Sequence, residues 1–383
     1  DLPEVTSIAD TAFKNSTKLK SINIPNLEYL DVAAFEGAES LTSIDIANVK
    51  VIKDNTFKGA SSLQSIVANN VTKVGENAFN GATSLTEINL PNAITLDASS
   101  FMGATSLTNV QMPNVISVGL SSFEGSTKLT SLNLPSATSI GSYAFRNATK
   151  LREVNIPNVT ELGNEAFKGA TSLTSISAPK VLKIYSNAFE NATSLTSINF
   201  PKVVKVYAYA FKNTRSLTSI NLPEVRNIER NAFEGTISLE SVNIEKVESI
   251  GEFTFWNASS LSSVNLPNAI YIGEGTFGNN SRLSTVSAPL LTSIPNRAFY
   301  KNGELTSVFA PEVKEVQSSA FFEASSLNSI DLPKVTTINS FAFENAVNLS
   351  SVTAPKLKSI GRDVFKNTSI PNGYVIGEVT IRN

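Results

Sequence analysis

The sequence predicts an α/β-type repeat solenoid, with one short parallel β-strand in each 22-residue turn and short helical or 3₁₀ turns on the opposite side. Three observations lead there. Phenylalanine recurs every 22 residues without a slip, from Phe13, Phe35 and Phe57 to Phe343 and Phe365. Leucine follows six residues after the Phe at all sixteen places from Leu19 to Leu349. Gly or Asn stands two residues past the Phe in fifteen of seventeen copies. A fixed period of this length marks a chain whose units bury their apolar faces only against their neighbours. About seventeen copies, the first truncated, fill residues 1–370, and residues 371–383 depart from the pattern.

The copy running from Phe79 to Ser100, FNGATSLTEINLPNAITLDASS, shows how each element is predicted. Its Leu85-x-x-Ile88-x-Leu90 run ends in period-2 alternation, which reads as a short strand with one face inward. Pro91 follows at once and ends the strand, because proline brings no N–H to a ladder. On the return leg an apolar residue such as Val71, Val159 or Val225 is followed three positions later by Val74, Leu162 or Ile228. A glycine often comes next, as at Gly75, Gly119, Gly141 and Gly163. An Ala-Phe helical turn then closes the coil, ended by Gly or Asn in a left-handed conformation that those residues tolerate best. Lys301 and Glu323 break that column in adjacent copies, which predicts altered loop geometry there. The Phe column is expected to stack as a buried spine. At the C-terminus, two short alternating runs about Gly377 read as a hairpin-like cap.

Composition narrows the function. A net charge of −2 creates no whole-molecule field that would draw nucleic acid or anionic lipid. There is no Cys and no His. Disulfides, thiolate zinc sites and a cysteine nucleophile are therefore excluded, and the usual general base and transition-metal ligand are missing. No cofactor is expected, and no EF-hand-like acidic run occurs. No apolar run reaches the roughly 18 residues that span a bilayer, so membrane insertion is not expected.

The pattern AF-x-G-A-T-S-L-T-x-I-x-L-P-x-V-x-x-I-G resembles the BspA-like leucine-rich repeats of bacterial and protist surface proteins, over essentially the whole chain. Members of that family often carry Cys where this chain has Ala38, Ala60, Ala82, Ala104 or Ala170, and a small buried residue serves equally well there. The resemblance implies an extracellular or surface-attached protein used in adhesion and in host or matrix contact. It brings no catalytic residues to this chain.

Candidate binding residues are sought where the copies differ. The outward strand positions, eight and ten residues past each Phe, form Ser and Asn columns interrupted by Asp45, Val67, Glu87, Asn109, Gln111, Glu153, Phe309 and Asp331. On the return legs Lys180, Lys183 and Tyr185 are repeated 22 residues later by Lys202, Lys205 and Tyr207, with Tyr209 and Arg226 nearby. This basic and aromatic group suits an anionic glycan or an acidic protein surface. Ordinary surface charge countered by Glu224 and Glu229 is the plainer reading. One residue past the Phe spine, Trp256, Tyr300 and Phe322 replace the usual Lys, Glu or Asn, in a row that suits sugar rings or another chain. Aromatics packing on their own loops is again the plainer reading. Together these features predict a non-catalytic adhesion or ligand-binding scaffold with a protein or glycan partner. The alternative is an assembly protein that self-associates end to end, because Asp1-Leu2-Pro3 begins in mid-strand with no polar cap.

Overall fold

The structure, a computed structural model, describes residues 1–381. The chain forms two compact units, Asp1–Phe200 and Pro201–Asn383. Each is a stack of 22-residue coils in which equivalent residues lie beside each other on successive rungs.

The strand predicted from the Leu-x-x-Ile-x-Leu run is present as three residues, for example Ser131–Asn133 and Glu153–Asn155 in the first unit and Ser263–Asn265 and Thr285–Ser287 in the second. Neighbours pair in parallel at an offset of one period, Leu132 opposite Val154 and Val264 opposite Val286. The middle residue points inward and its two flanks face solvent, as the period-2 alternation requires. Each coil also contains a second, two-residue parallel strand on the return leg, such as Ser117–Val118 and Ser139–Ile140. Its buried Val, Ile or Leu was anticipated as a core contact, but two residues are too few to show a period, and the first of them varies among Ser, Thr, Asn, Tyr, Lys, Glu and Val.

The expected helical or 3₁₀ turns do not form among the described residues. Instead the backbone around each Phe divides its hydrogen bonds alternately. Ala33, Phe35 and Gly37 donate to Asp54, Thr56 and Lys58 on the next rung, at 2.9, 2.8 and 2.7 Å. Ala34, Glu36 and Ala38 between them close turns onto Asp31, Ala33 and Phe35. A helix would keep every bond within its own coil and leave adjacent coils joined only by side chains. Here alternate N–H groups continue the inter-coil ladder on the side opposite the three-residue strands, satisfying groups that would otherwise be buried without partners.

Two positive-φ columns make this alternation possible. The one two residues past each Phe was anticipated, and it includes Lys301 at φ 58° and Glu323 at φ 59°. Those residues thus keep the same turn as Gly59 or Asn213, and the altered geometry expected there does not occur. The second column lies two residues before each Phe and holds Ala33, Tyr143, Glu165, Tyr209, Phe253, Arg297 and Phe341, at φ between 52° and 62°. The column also holds Asn55, Asn77, Asn187, Asn231 and Gly275, which tolerate a left-handed backbone, but nothing in the bulky members signals it. The inter-coil bonds on either side impose it against a cost of about 1–2 kcal/mol per residue.

The spine is as predicted. Phe35 and every later member of the column are at most 2% exposed. Rings on successive rungs stack with centroids 5.0–5.6 Å apart from Phe13 to Phe189. From Phe211 to Phe365 the spacing is 5.0–6.0 Å. The C-terminal hairpin pairs Val375–Ile376 with Val379–Thr380 in antiparallel fashion and buries Ile376 and Ile381 over the last rung. Gly377 sits at its corner with φ 58°, where a β-carbon would meet the Leu357 backbone at 2.7 Å.

Candidate ligand-binding surfaces

Three exposed faces result from this architecture. The three-residue strands carry the Ser and Asn columns outward, and the asparagines bond along the column. Asn155 donates to Asn133 at 2.8 Å in the first unit, and Asn243 to Asn221 at 2.9 Å in the second. Phe309 interrupts this hydrophilic face at 56% exposure, opposite Ser287 in register.

The basic and aromatic residues of the return legs divide between the two units. In the first, Lys180 donates to Asn158 Oδ1 at 2.6 Å. Lys183 lies in register beside Glu161, and Tyr185 follows it by two residues. In the second unit Lys202 is exposed. Lys205 is engaged twice, by the Glu229 carboxylate at 2.8 Å and by the face of Tyr207 at 4.2 Å. Glu229, accepting its hydrogen bond, holds the Lys205 ammonium above its ordinary pKa. Lys212 and Arg230 flank the Tyr209 ring, and Lys212 also pairs with Glu234 at 2.8 Å. Arg226 pairs with Glu248 at 2.6 Å. Lys205, Lys212 and Arg226 thus each meet a carboxylate one rung on, which reduces the positive potential of the second unit's patch. The Arg226 pair is exposed and the other two are half-buried at the surface, and each adds at most a few tenths to ~1 kcal/mol of stability.

The aromatic row uses its ring faces internally. Trp256 stacks on Tyr300 with centroids 6.0 Å apart, and Tyr300 on Phe322 at 5.1 Å. The intervening rung carries Gly278, where a β-carbon would collide with the indole, so glycine is what lets Trp256 reach two rungs along. Phe253 packs edge-on against Trp256 at 5.5 Å. Arg297 and Lys301 lie 6.0 and 5.4 Å from the Tyr300 centroid. A sugar stacks on an open ring face, whereas Tyr300 is stacked on both sides and Trp256 and Phe322 each on one. Its geometry agrees better with aromatics packing on their own loops.

A feature that residue-by-residue reading passed over lies on the lateral face of the first unit. The position after each two-residue strand reads Asp97, Gly119, Gly141, Gly163, Tyr185 on five successive rungs. On these three rungs the coils approach closely, and a β-carbon on Gly119, Gly141 or Gly163 would lie 2.5–2.7 Å from the preceding rung. Their effect on the surface is a trough of about 420 Å³. Ser117, Ser139 and Glu161 line one side and Ser142 and Asn164 the other, with Tyr185 at the end. The run of glycine at a 22-residue interval was the available signal, but glycine reads first as a turn residue.

Parallel strands stacked at a 22-residue period, with leucine and phenylalanine columns inside and no interrupting insertion, define a leucine-rich repeat solenoid. The profile described as "BspA type Leucine rich repeat region (6 copies)" matches residues 1–107, 94–208, 204–324 and 268–372. The chain belongs to that family. Among solved structures, a leucine-rich repeat protein from Bacteroides ovatus is 23% identical with a TM-score of 0.60, over 90% of this chain and 82% of its own. A leucine-rich cell surface protein from Faecalibacterium prausnitzii is 21% identical with a TM-score of 0.41, over 79% of this chain and 82% of its own. The pneumococcal vaccine antigen PcpA is 16% identical with a TM-score of 0.41, over 86% of this chain and 80% of its own. No curated protein sequence matches the chain.

Proposed function

We propose that this protein is a non-catalytic scaffold at the cell surface or outside the cell, which binds a protein or glycan partner through local departures from its repeat. The observation that carries the reading is the separation of roles by column. The inward columns are filled by Phe, Leu, Ile, Val and Ala at near-zero exposure, rung after rung. The outward columns change identity from copy to copy without disturbing the backbone bonds beneath them. Such a lattice accepts contact residues at almost any outward position at little cost in stability. Membership of the BspA-type family supports surface placement, and the absence of His and Cys from the sequence leaves little for nucleophilic or general-base chemistry.

A protein partner has its own support in the second unit, where Phe309, Ile270 and Tyr271 stand 56%, 62% and 52% exposed on otherwise polar faces. The test is a combined array of glycans and matrix proteins probed with the whole chain, alongside light scattering. Capture of at least one ligand class by a monomer is the expected result. A chain that captures nothing and associates only with itself refutes the reading in favour of an assembly protein.

A further inference from the structure

We propose that the trough over Gly119, Gly141 and Gly163 is a binding site for a neutral, unbranched oligosaccharide. The proposal rests on the ligand-binding reading above and names the ligand class and the place.

Four observations carry it. The trough is a bounded site rather than a stretch of repeating surface. Asp97 fills the same column one rung before Gly119, pinned by Lys73 at 2.8 Å, and Tyr185 fills it one rung after Gly163. No other part of the sequence has three consecutive glycines in this column. Three vacant rungs at the usual strand spacing give a length of about 14 Å, which suits a short run of sugar units.

The lining chemistry is that of polyol recognition. Ser139 donates to Ser117 at 3.3 Å along one wall, continuing to the exposed Glu161 carboxylate, whose oxygens accept from adjacent sugar hydroxyls. Across the trough Asn164 is anchored by accepting the Ser186 N–H at 3.1 Å. Tyr185 supplies an aromatic wall at the end, where a sugar ring gains apolar contact.

No Lys or Arg lines the trough, and the one cation in register with its wall, Lys183, lies beside Glu161, so the lining itself offers an anion no positive charge. An extended peptide is disfavoured for a different reason. The strands Ser117–Val118, Ser139–Ile140 and Glu161–Leu162 are paired on both sides, which leaves no open edge for an added strand. A volume of about 420 Å³ falls within the range of small-ligand sites.

The experiment is calorimetric titration of the full chain with neutral tetrasaccharides of hexoses and of N-acetylhexosamines, together with three variants. Ser139→Tyr places a large ring in the trough at a register position that already carries tyrosine at Tyr29 and Tyr271, so folding is retained. Ser249→Tyr makes the same change on the second unit and serves as the control. Glu161→Gln removes the carboxylate charge and keeps the shape.

The expected result is binding by the wild type and by Ser249→Tyr, loss with Ser139→Tyr, and a weakening of about tenfold with Glu161→Gln, the size of one charged hydrogen bond. Equal binding by wild type and Ser139→Tyr overturns the trough and leaves the scaffold reading intact. No binding of any tetrasaccharide by the wild type overturns the saccharide assignment. The scaffold reading itself then depends on the array of matrix proteins.

Discussion

Truncating one ring of the spine measures how far a solenoid rung depends on its neighbours. Phe167 is fully buried and stacks between Phe145 at 5.3 Å and Phe189 at 5.5 Å. Replacing a buried Phe by Ala costs about 3–5 kcal/mol in transfer and cavity terms. Two stacking contacts, each worth about 0.5–1.5 kcal/mol beyond area burial, place Phe167→Ala at the upper end of that range. The cavity borders backbone that is itself held between rungs, for Phe145 N–H donates to Ala166 and Phe167 N–H to Ala188, both at 2.8 Å. Because rungs interact only with neighbours, the loss is expected to stay local. Hydrogen exchange read by mass spectrometry should show faster exchange in peptides covering 140–195 and little change near Phe35 or Phe343. The denaturant midpoint of the same variant should fall, and Phe167→Leu should recover most of it. An unchanged midpoint, or protection lost uniformly along the chain, refutes the nearest-neighbour account.

The remaining predictions address backbone, core polarity and charge. At Gly59, with φ 72°, alanine is expected to cost about 1–2 kcal/mol, whereas Ser99→Gly at φ 55° gains up to ~1 kcal/mol, both read by thermal unfolding. A gain from Gly59→Ala contradicts the left-handed assignment. Asn280 is completely buried, and neither atom of its side-chain amide has a hydrogen-bond partner among the described residues. The same column is alanine at Ala258 and Ala324, so Asn280→Ala should stabilise the chain by about 1–3 kcal/mol, and a lower melting temperature overturns that expectation. Lys205 has its folded-state pKa raised by Glu229, so its contribution is fully present below the unfolded value of about 10.4 and is lost as pH rises through the folded one. The difference in unfolding midpoint between wild type and Lys205→Met should therefore be flat from pH 6 to 9 and shrink only above pH 10. A change near neutrality removes the Glu229 pair as its cause.

The fold was legible because each of its main interactions repeats. A Phe every 22 residues, a Leu six positions on and an alternating strand leave one arrangement that buries all three columns. Local helix signals around Ala-Phe misled, because the choice between a helical turn and a laddered one is made by carbonyls 21 residues away. Phe253 and Arg297 adopt φ of 52° and 54° for the same reason, and no propensity scale anticipates it. Among the candidate site residues, the sequence placed Lys205 and Tyr207 near one another. It also named Glu229 as a counter-charge, but not which cation Glu229 pairs with, nor that Trp256 reaches across Gly278 to spend its ring face on Tyr300.

By itself, then, the sequence determined the period, the inward columns, the short parallel strand and the family to which they belong. These follow from burial, which depends on residue type and spacing alone. Tertiary structure decided which N–H groups cross between coils, where the backbone turns left-handed, which charges cancel and where glycines leave a trough. Each depends on what the neighbouring rung presents at a few ångströms, which no single copy encodes.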